Sequence, residues 1–529
     1  MSFGDLATTI YVAVICDHPL YRYEEFARRL GGAVLDHFID ALENPKQHGR
    51  SVLVVVVAYI AVWTLYGLIA KSNQDLHPDM TELIAWSRDL ALGFPKHPPF
   101  AAVIVRGWFA LLPISDGTFY LLAMVMATIS LWIAWLLFED YLDPTKRLVG
   151  VVLLTFIPFF NFHALKFNVN TALMPTWAVT TLWFLRSYRT SSPVYAALAG
   201  VGAAVCMMTK YWSIFLVVGL AVAALSGARR SAYFKSSAPL ITTLVAIAAF
   251  SPHLGWLEKH GFPTIFYALR EHGHRSFADA TAAALRYILD TAAFGSVPFG
   301  IVVLATRPKL VTIKEMVWPT DPDRRVAAVT FWATMLIPVI AASFGGIELD
   351  GIWSMSAWTL FPVLLLGPRQ MKLSPLVRRR IVGVAVLIPL VLLLLSPAVA
   401  LLINSEGLSP KQTQMKQLSS LVEQSWHAAS PTPLRLVGGD TDLADGVAAY
   451  AMDRPLVALP RLHLPVKRDG IAFVCLLNDA KCTKSLQLAA KADPRSRVIE
   501  QELVHYFLGS AGPSERYLVA IIPPISGTE

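Results

Sequence analysis

Between Asp75 and His97 the chain gathers Asp75, His77, Asp79, Glu82, Asp89, Lys96 and His97. Carboxylates beside lysines can take a proton from a hydroxyl and neutralise the charge of an anionic leaving group. Asp79 is the candidate general base, with Glu82 one helical step onward, and Lys96 and His97 are candidate anion ligands. Asp79 followed three positions later by Glu82 is also a capping-box pattern, so a helix N-cap is the competing role. Lys166 is a further candidate cation. Lys210, with Tyr211 beside it, interrupts an apolar stretch, where a lysine is costly unless it snorkels or pairs. An H-x-H pattern, His272 and His274 next to Arg275, offers imidazoles that a divalent metal would accept with Glu82 or His97. No spacing demands such a site. Glu348 and Asp350 read either as acceptor-side acids or as solvated residues.

Long apolar elements must hold these groups in place. The chain has 529 residues, of which 55% are apolar and only 16% charged, and its mean hydropathy is +0.52. A soluble domain is about a quarter charged, and a disordered chain lacks so much apolar and aromatic mass. The class that remains is a polytopic α-helical membrane protein. Ser51–Ala70 is the first charge-free span. Further candidates lie near 117–138, 148–163, 171–185, 192–209, 211–226, 238–256, 282–305, 326–344, 353–367 and 380–403, about eleven in all.

Charge sets the orientation. With residues 1–50 as a polar, partly helical cytoplasmic leader, amphipathic over Tyr23–Glu43, the inner loops carry 17 Lys and Arg and the longer outer segments nine. That is the bias expected of cytoplasmic loops. It also explains the net charge of +8 without nucleic acid, since no basic, aromatic-interleaved module is present. The outer side then holds the first loop, 71–116, and everything beyond the last span. Within the loop, Met80–Leu92 has helical periodicity. The GFPKHPPF turn and a short apolar segment follow, which predicts two short helices along the membrane surface.

Residues 404–529 are of another kind. Short β-like runs at Leu434–Val437, Ala472–Leu477 and Tyr517–Ile522 alternate with helical patterns at Lys411–Ala429 and Thr483–Lys491. GGD (438–440) and DRP (453–455) mark turns. This predicts a small α/β domain after a transmembrane domain of 51–403. Cys475 and Cys482 in it either pair, if the domain is periplasmic, or stay as two thiols.

In order along the chain, Asp79, the aromatic WSRDLALG helix (86–93), the His97–Pro99 turn, FHALKFNVN (162–170) and CMMTKYWSIF (206–215) resemble the GT-C membrane glycosyltransferases. SPHLGWLEKHGFPTIFYAL (251–269) and WSMSAWTLFPVLLL (353–366) continue the likeness. The similar members are the protein-O-mannosyltransferases, aminoarabinose transferases and rhizobial galacturonosyltransferases, and the resemblance covers residues 50–405. Two positions depart from it: Met80 stands where the family has Glu, and Asn170 where it has Asp.

The resemblance implies an inner-membrane enzyme transferring a sugar, with inversion, from a polyprenyl-phosphate donor to a lipid or glycan acceptor such as lipid A or lipopolysaccharide, on the periplasmic side. Asp79 and Glu82 would then be catalytic. Lys96, His97, Lys166, Asn170, Lys210, Tyr211 and His274 would bind substrate, with membrane lipids as neighbours. The resemblance leaves a divalent metal open. The competing readings are a flippase for lipid-linked saccharides, which predicts charges at mid-membrane, a protein O-mannosyltransferase, and an assembly factor that binds a partner through its C-terminal domain.

Overall fold

The computed structural model describes residues 32–43, 49–273, 275–458 and 469–525. Among them, six helices are long and apolar enough to cross a membrane: Gly49–Ala70, Asp116–Phe138, Ala238–His260, Phe277–Thr306, Pro322–Gly345 and Pro375–Glu406. Their long apolar runs satisfy every backbone group internally, which the hydrocarbon interior requires. Shorter apolar helices include Pro193–Thr209 and Tyr211–Ser226. Two expected spans are broken. The stretch 148–163 ends its helix at Leu154 and passes into a tight turn at Pro158–Phe160, where proline supplies no amide to continue the ladder. The stretch 353–367 becomes two short turns, Gly351–Ser354 and Ala357–Leu360, before the helix Phe361–Leu366.

The chain divides into two compact units. The first comprises the described residues within 32–62, 124–164 and 173–391. Its helices approach through small residues, as helices in lipid do. Pro193–Thr209 lies so close to Ala238–His260 that a Cβ at Gly200 would stand 2.6 Å from the Thr242 carbonyl oxygen. The helix Gly32–Glu43 covers the amphipathic expectation only in part, because residues 1–31 lie outside the described ones. Ile39 packs with Trp135, Leu148 and Val382, and Asp36 pairs with Arg379 at 2.6 Å. The basic start of the last span is thus tied to that helix.

The second unit comprises the described residues within 63–123, 165–172 and 392–529, and so joins the loop after the first span to the C-terminal region. The loop forms α1 (Pro78–Ser87) and α2 (Phe100–Phe109), the two short helices expected. The C-terminal region contributes α3 (Met415–His427), β1 (Leu436–Gly439), α4 (Thr441–Tyr450), β2 (Leu456–Val457), β3 (Ile471–Leu476), α5 (Ala480–Lys491), β4 (Arg497–Phe507) and β5 (Ser510–Ile522). The sheet order is β2-β1-β3-β5-β4, with β1 parallel to β2 and β3, and β5 antiparallel to β3 and β4. Its core of Leu418, Val422, Trp426, Val437, Val447, Val474 and Val519 is fully buried. Gly439 makes the turn from β1 into α4 at φ +109°, where a Cβ would strike the Val474 backbone. Asp440 then caps α4 through the Leu443 amide at 3.0 Å. Cys475 and Cys482 are joined as a disulfide with Cα atoms 5.7 Å apart.

Candidate active site

The loop helix α1 begins one residue before Asp79. Pro78 occupies its first position, where a missing amide costs nothing, and the His77 ring caps it by accepting from the Asp79 amide at Nδ1, 3.1 Å away. The N-cap role therefore belongs to His77. The Asp79 side chain, in the first turn, is left to face cations. Ser87 at the other end of α1 has its carbonyl held by the Arg106 guanidinium of α2 at 3.1 Å.

The Pro-rich turn brings Lys96 back over α1. Trp86 and Phe94 stack with centroids 4.7 Å apart, the His97 ring meets Trp86 edge-on, and the Phe94 amide donates to the His97 carbonyl at 3.0 Å. His97 thus stiffens the turn that carries Lys96. The Lys96 ammonium stands 3.0 Å from Glu82 Oε2 and 3.4 Å from Asp79 Oδ1. From the segment 165–172, Lys166 reaches Asp79 Oδ2 at 3.1 Å and the Asn168 amide donates to the same oxygen at 3.1 Å. Asn168 has two tasks. Its Oδ1 accepts from the Asn170 amide at 2.9 Å in the manner of an N-cap, which fixes the direction in which its Nδ2 points. Asn170 takes part through its backbone.

Electrostatics differ sharply between the two carboxyls. Burial alone would push Asp79 up, but Lys166, Lys96 and the Asn168 amide hold it well below the usual carboxylate range. Glu82 is more deeply buried, and burial pushes it up to about 7 against the pull of Lys96, with the Asp79 charge adding to the rise. Burial and the Lys166 charge bring His77 down to about 4. It is therefore neutral near pH 7, as its capping Nδ1 must be. Lys71, at the end of the first span, is lowered by burial and by Lys166. Three lysines thus share a neighbourhood with two carboxyls, one of which is half neutral near pH 7. The surplus is positive and suits an added anion.

Asp79, Glu82, Lys96 and Lys166 therefore converge. Lys210 and Tyr211 lie in the first unit and form their own group. The Lys210 ammonium sits 4.7 Å over the Trp353 ring, which His272 meets edge-on at 5.0 Å, and the Tyr211 hydroxyl is 2.6 Å from His253 Nε2. His274 lies outside the described residues. Among the described residues, no group of three or more His, Cys, Asp or Glu is arranged to hold a metal ion. Sequence reasoning passed over Lys71 and Asn168. Asn168 was signalled only as the first Asn of N-V-N, where attention fell on the second.

The dolichyl-phosphate-mannose-protein mannosyltransferase family model matches residues 96–256. No curated protein matches the chain by sequence. Among solved structures, ArnT from Cupriavidus metallidurans bound to undecaprenyl phosphate is similar, with a TM-score of 0.59, 13% identity, 88% of this chain and 97% of that one covered. The apo state of the same ArnT gives 0.58 and 11%, over 90% and 98%. At such identities the likeness is one of fold, and it runs along nearly the whole chain. The chain thus has an ArnT-like fold, and a segment of it, residues 96–256, is similar to the dolichyl-phosphate-mannose-protein mannosyltransferase family.

Proposed function

We propose that the protein moves a sugar from a polyprenyl-phosphate-linked donor to a hydroxyl of a lipid or glycan acceptor, of the lipid A or lipopolysaccharide kind, at the periplasmic face of the bacterial inner membrane. The observation that carries this is the Asp79 carboxylate pinned between Lys96 and Lys166, just beyond the first span.

In the step, the acceptor oxygen bonds to the anomeric carbon while the carbon–oxygen bond to phosphate breaks. Polyprenyl phosphate leaves with the bonding pair, and Asp79 takes the acceptor proton. A single displacement of this kind inverts the anomeric centre. Asp79 clamped by two lysines is a weak base, but a donor phosphate competes for those same ammonium groups. As they turn toward the phosphate, the proton affinity of Asp79 rises toward the usual carboxylate value. Donor binding thereby prepares the base, and the lysines neutralise charge on the leaving group.

Three further observations support the reading. The ArnT structure of similar fold holds undecaprenyl phosphate. The Cys475–Cys482 disulfide suits an oxidising compartment. In the span layout read from the sequence, the basic residues concentrate in the loops expected on the side opposite to 71–116. The test pairs reconstitution with genetics. Purified protein in proteoliposomes should transfer sugar from polyprenyl-phosphate donors, and envelope lipids of a deletion strain should lack one sugar residue by mass spectrometry. An unchanged envelope together with lipid-linked sugar moved across the bilayer and no glycoside formed would overturn it in favour of a flippase.

A further inference from the structure

Strand β4 is an edge of the sheet, and its contacts run along α3 toward the spanning helix Pro375–Glu406. Near its start the Arg497 guanidinium donates to the Ala428 carbonyl, just past the end of α3, at 3.3 Å. Further along, the Gln417 amide in the first turn of α3 donates to the Val504 carbonyl at 3.1 Å. Gln414, the residue before α3, donates to the Pro513 carbonyl of β5 at 2.8 Å. The hairpin then meets the spanning helix itself, since a Cβ at Gly512 would stand 3.4 Å from Asn404 Oδ1. Strand β4 thus returns along α3 to the point where the chain leaves its last span. From Gly512 the hairpin continues to its turn for about 10 Å at the rise of a strand.

The tip is built unlike a tip in water. Phe507 pairs with Ser510, so Leu508 and Gly509 alone make the turn. Both have positive φ, +49° and +83°, the arrangement of a type I′ turn, which favours Asn-Gly. The Leu508 Cβ is disfavoured in that conformation, and the side chain gains no cover in return. Leu508 is 80% exposed and Tyr506 64%. From Leu503 to Pro513 the sequence LVHYFLGSAGP holds no Asp, Glu, Lys or Arg, whereas the base of the hairpin carries Arg497, Glu500, Glu502, Glu515 and Arg516. Charge normally protects an exposed edge strand, and here it stops where the tip begins.

The neighbour at that level is lipid. Leu401 and Leu402, within a turn of Asn404, are half-exposed on a helix long and apolar enough to cross a membrane. Apolar side chains so placed face acyl chains.

We propose that the β4–β5 hairpin anchors the C-terminal domain to lipid: its charge-free tip enters the bilayer interface beside the end of Pro375–Glu406, with Leu508 among the upper acyl chains and the Tyr506 ring at the headgroups. Tyrosine suits that depth, because its ring is buried while its hydroxyl stays wet. A second attachment beside the span fixes the tilt of the domain, and α4 of that domain packs on α1. The proposal rests on the passage of Pro375–Glu406 through the membrane and not on the transferase reading.

The test puts one environment-sensitive NBD fluorophore on Leu508→Cys in the full-length protein, with Cys16→Ser and Cys206→Ser. The protein is held in phosphatidylcholine–phosphatidylglycerol nanodiscs, with and without lipid brominated near the top of its acyl chains. Emission should be blue-shifted and bromolipid should quench about half of it or more, since interfacial apolar groups lie about 5–10 Å deep. The same probe on Val498→Cys, at the base, should not be quenched. Ser510→Cys repeats the measurement should Leu508→Cys fold poorly. In unlabelled protein, Leu508→Asn suits the turn, so turn chemistry alone predicts slower hydrogen exchange across Tyr506–Ala511. Loss of the anchor predicts faster exchange in nanodiscs, and slower or unchanged exchange would overturn the proposal. Water-like, unquenched emission from both tip positions would do the same. A blue shift without quenching, lost in discs that hold one copy, would assign the tip to a second copy of the chain and also overturn it.

Discussion

The Asn168 amide donates to the Asp79 carboxylate at 3.1 Å, joining residues 89 positions apart. It fixes which oxygen of Asp79 is occupied and leaves the other to Lys96. Asp79→Asn removes the base without changing shape, so transfer should fall by about 100-fold or more, and the melting temperature should drop because the carboxylate that Lys96 and Lys166 stabilise is lost. Asn168→Ala should cost about tenfold. Radiolabelled-sugar transfer alongside a melting curve checks both, and full activity in Asp79→Asn would remove Asp79 from the mechanism.

Lys96 and Lys166 meet Asp79 from different segments of the chain, and each is only partly exposed. Lys96→Ala should raise the donor KM by roughly 10- to 100-fold, because the charge is sheltered. Lys166→Ala, at a more open position, should have a smaller effect that shrinks with added salt. Equal, salt-independent losses in the two variants would contradict this ranking.

Glu82 links pH to stability with a defined sign. Its native carboxyl titrates near 7 against an ordinary value of 4.5, so the folded state binds a proton that the unfolded chain has already released. Stability from this group is complete below the unfolded value and is lost as pH rises through about 7. Glu82→Gln should therefore flatten the melting temperature between pH 5 and 8 and raise it at the alkaline end. A variant whose curve keeps the wild-type slope would assign the effect elsewhere.

Tyr450 fastens the C-terminal domain to the loop. Its hydroxyl accepts from the Leu76 amide at 2.7 Å and donates to Asp116 at 3.0 Å, and Lys416 bridges Asp75 and Asp116 nearby. Tyr450→Phe leaves the Leu76 amide and one Asp116 oxygen without this partner, at a cost of about 1–3 kcal/mol. The expected sign is faster proteolysis within 404–458 and a lower melting temperature, with secondary structure unchanged by circular dichroism.

Orientation is open to direct chemistry. Leu90 is 71% exposed just after α1. Leu90→Cys in a Cys16→Ser, Cys206→Ser background should react with a membrane-impermeant maleimide in spheroplasts before lysis. Reaction only after lysis would put the loop in the cytoplasm and end the periplasmic assignment.

The sequence by itself determined the membrane class and the small C-terminal α/β domain, because apolar run length and alternation are local properties that lipid and core read directly. It also brought out Asp79, Glu82 and Lys96, since titratable groups packed into one short loop stand out without a fold. Only tertiary structure decided their partners. It gave the cap to His77 and aimed Asp79 at Lys166 and Asn168. It also laid α4, which no sequence pattern marked, against α1. It broke 148–163 and 353–367 into turns and paired β5 with β4, a strand with no buried residue and little apolar alternation. The physical reason is range. Burial patterns repeat within a few residues along the chain, whereas the proton affinity of a carboxyl depends on charges brought within a few ångströms by segments far apart in it.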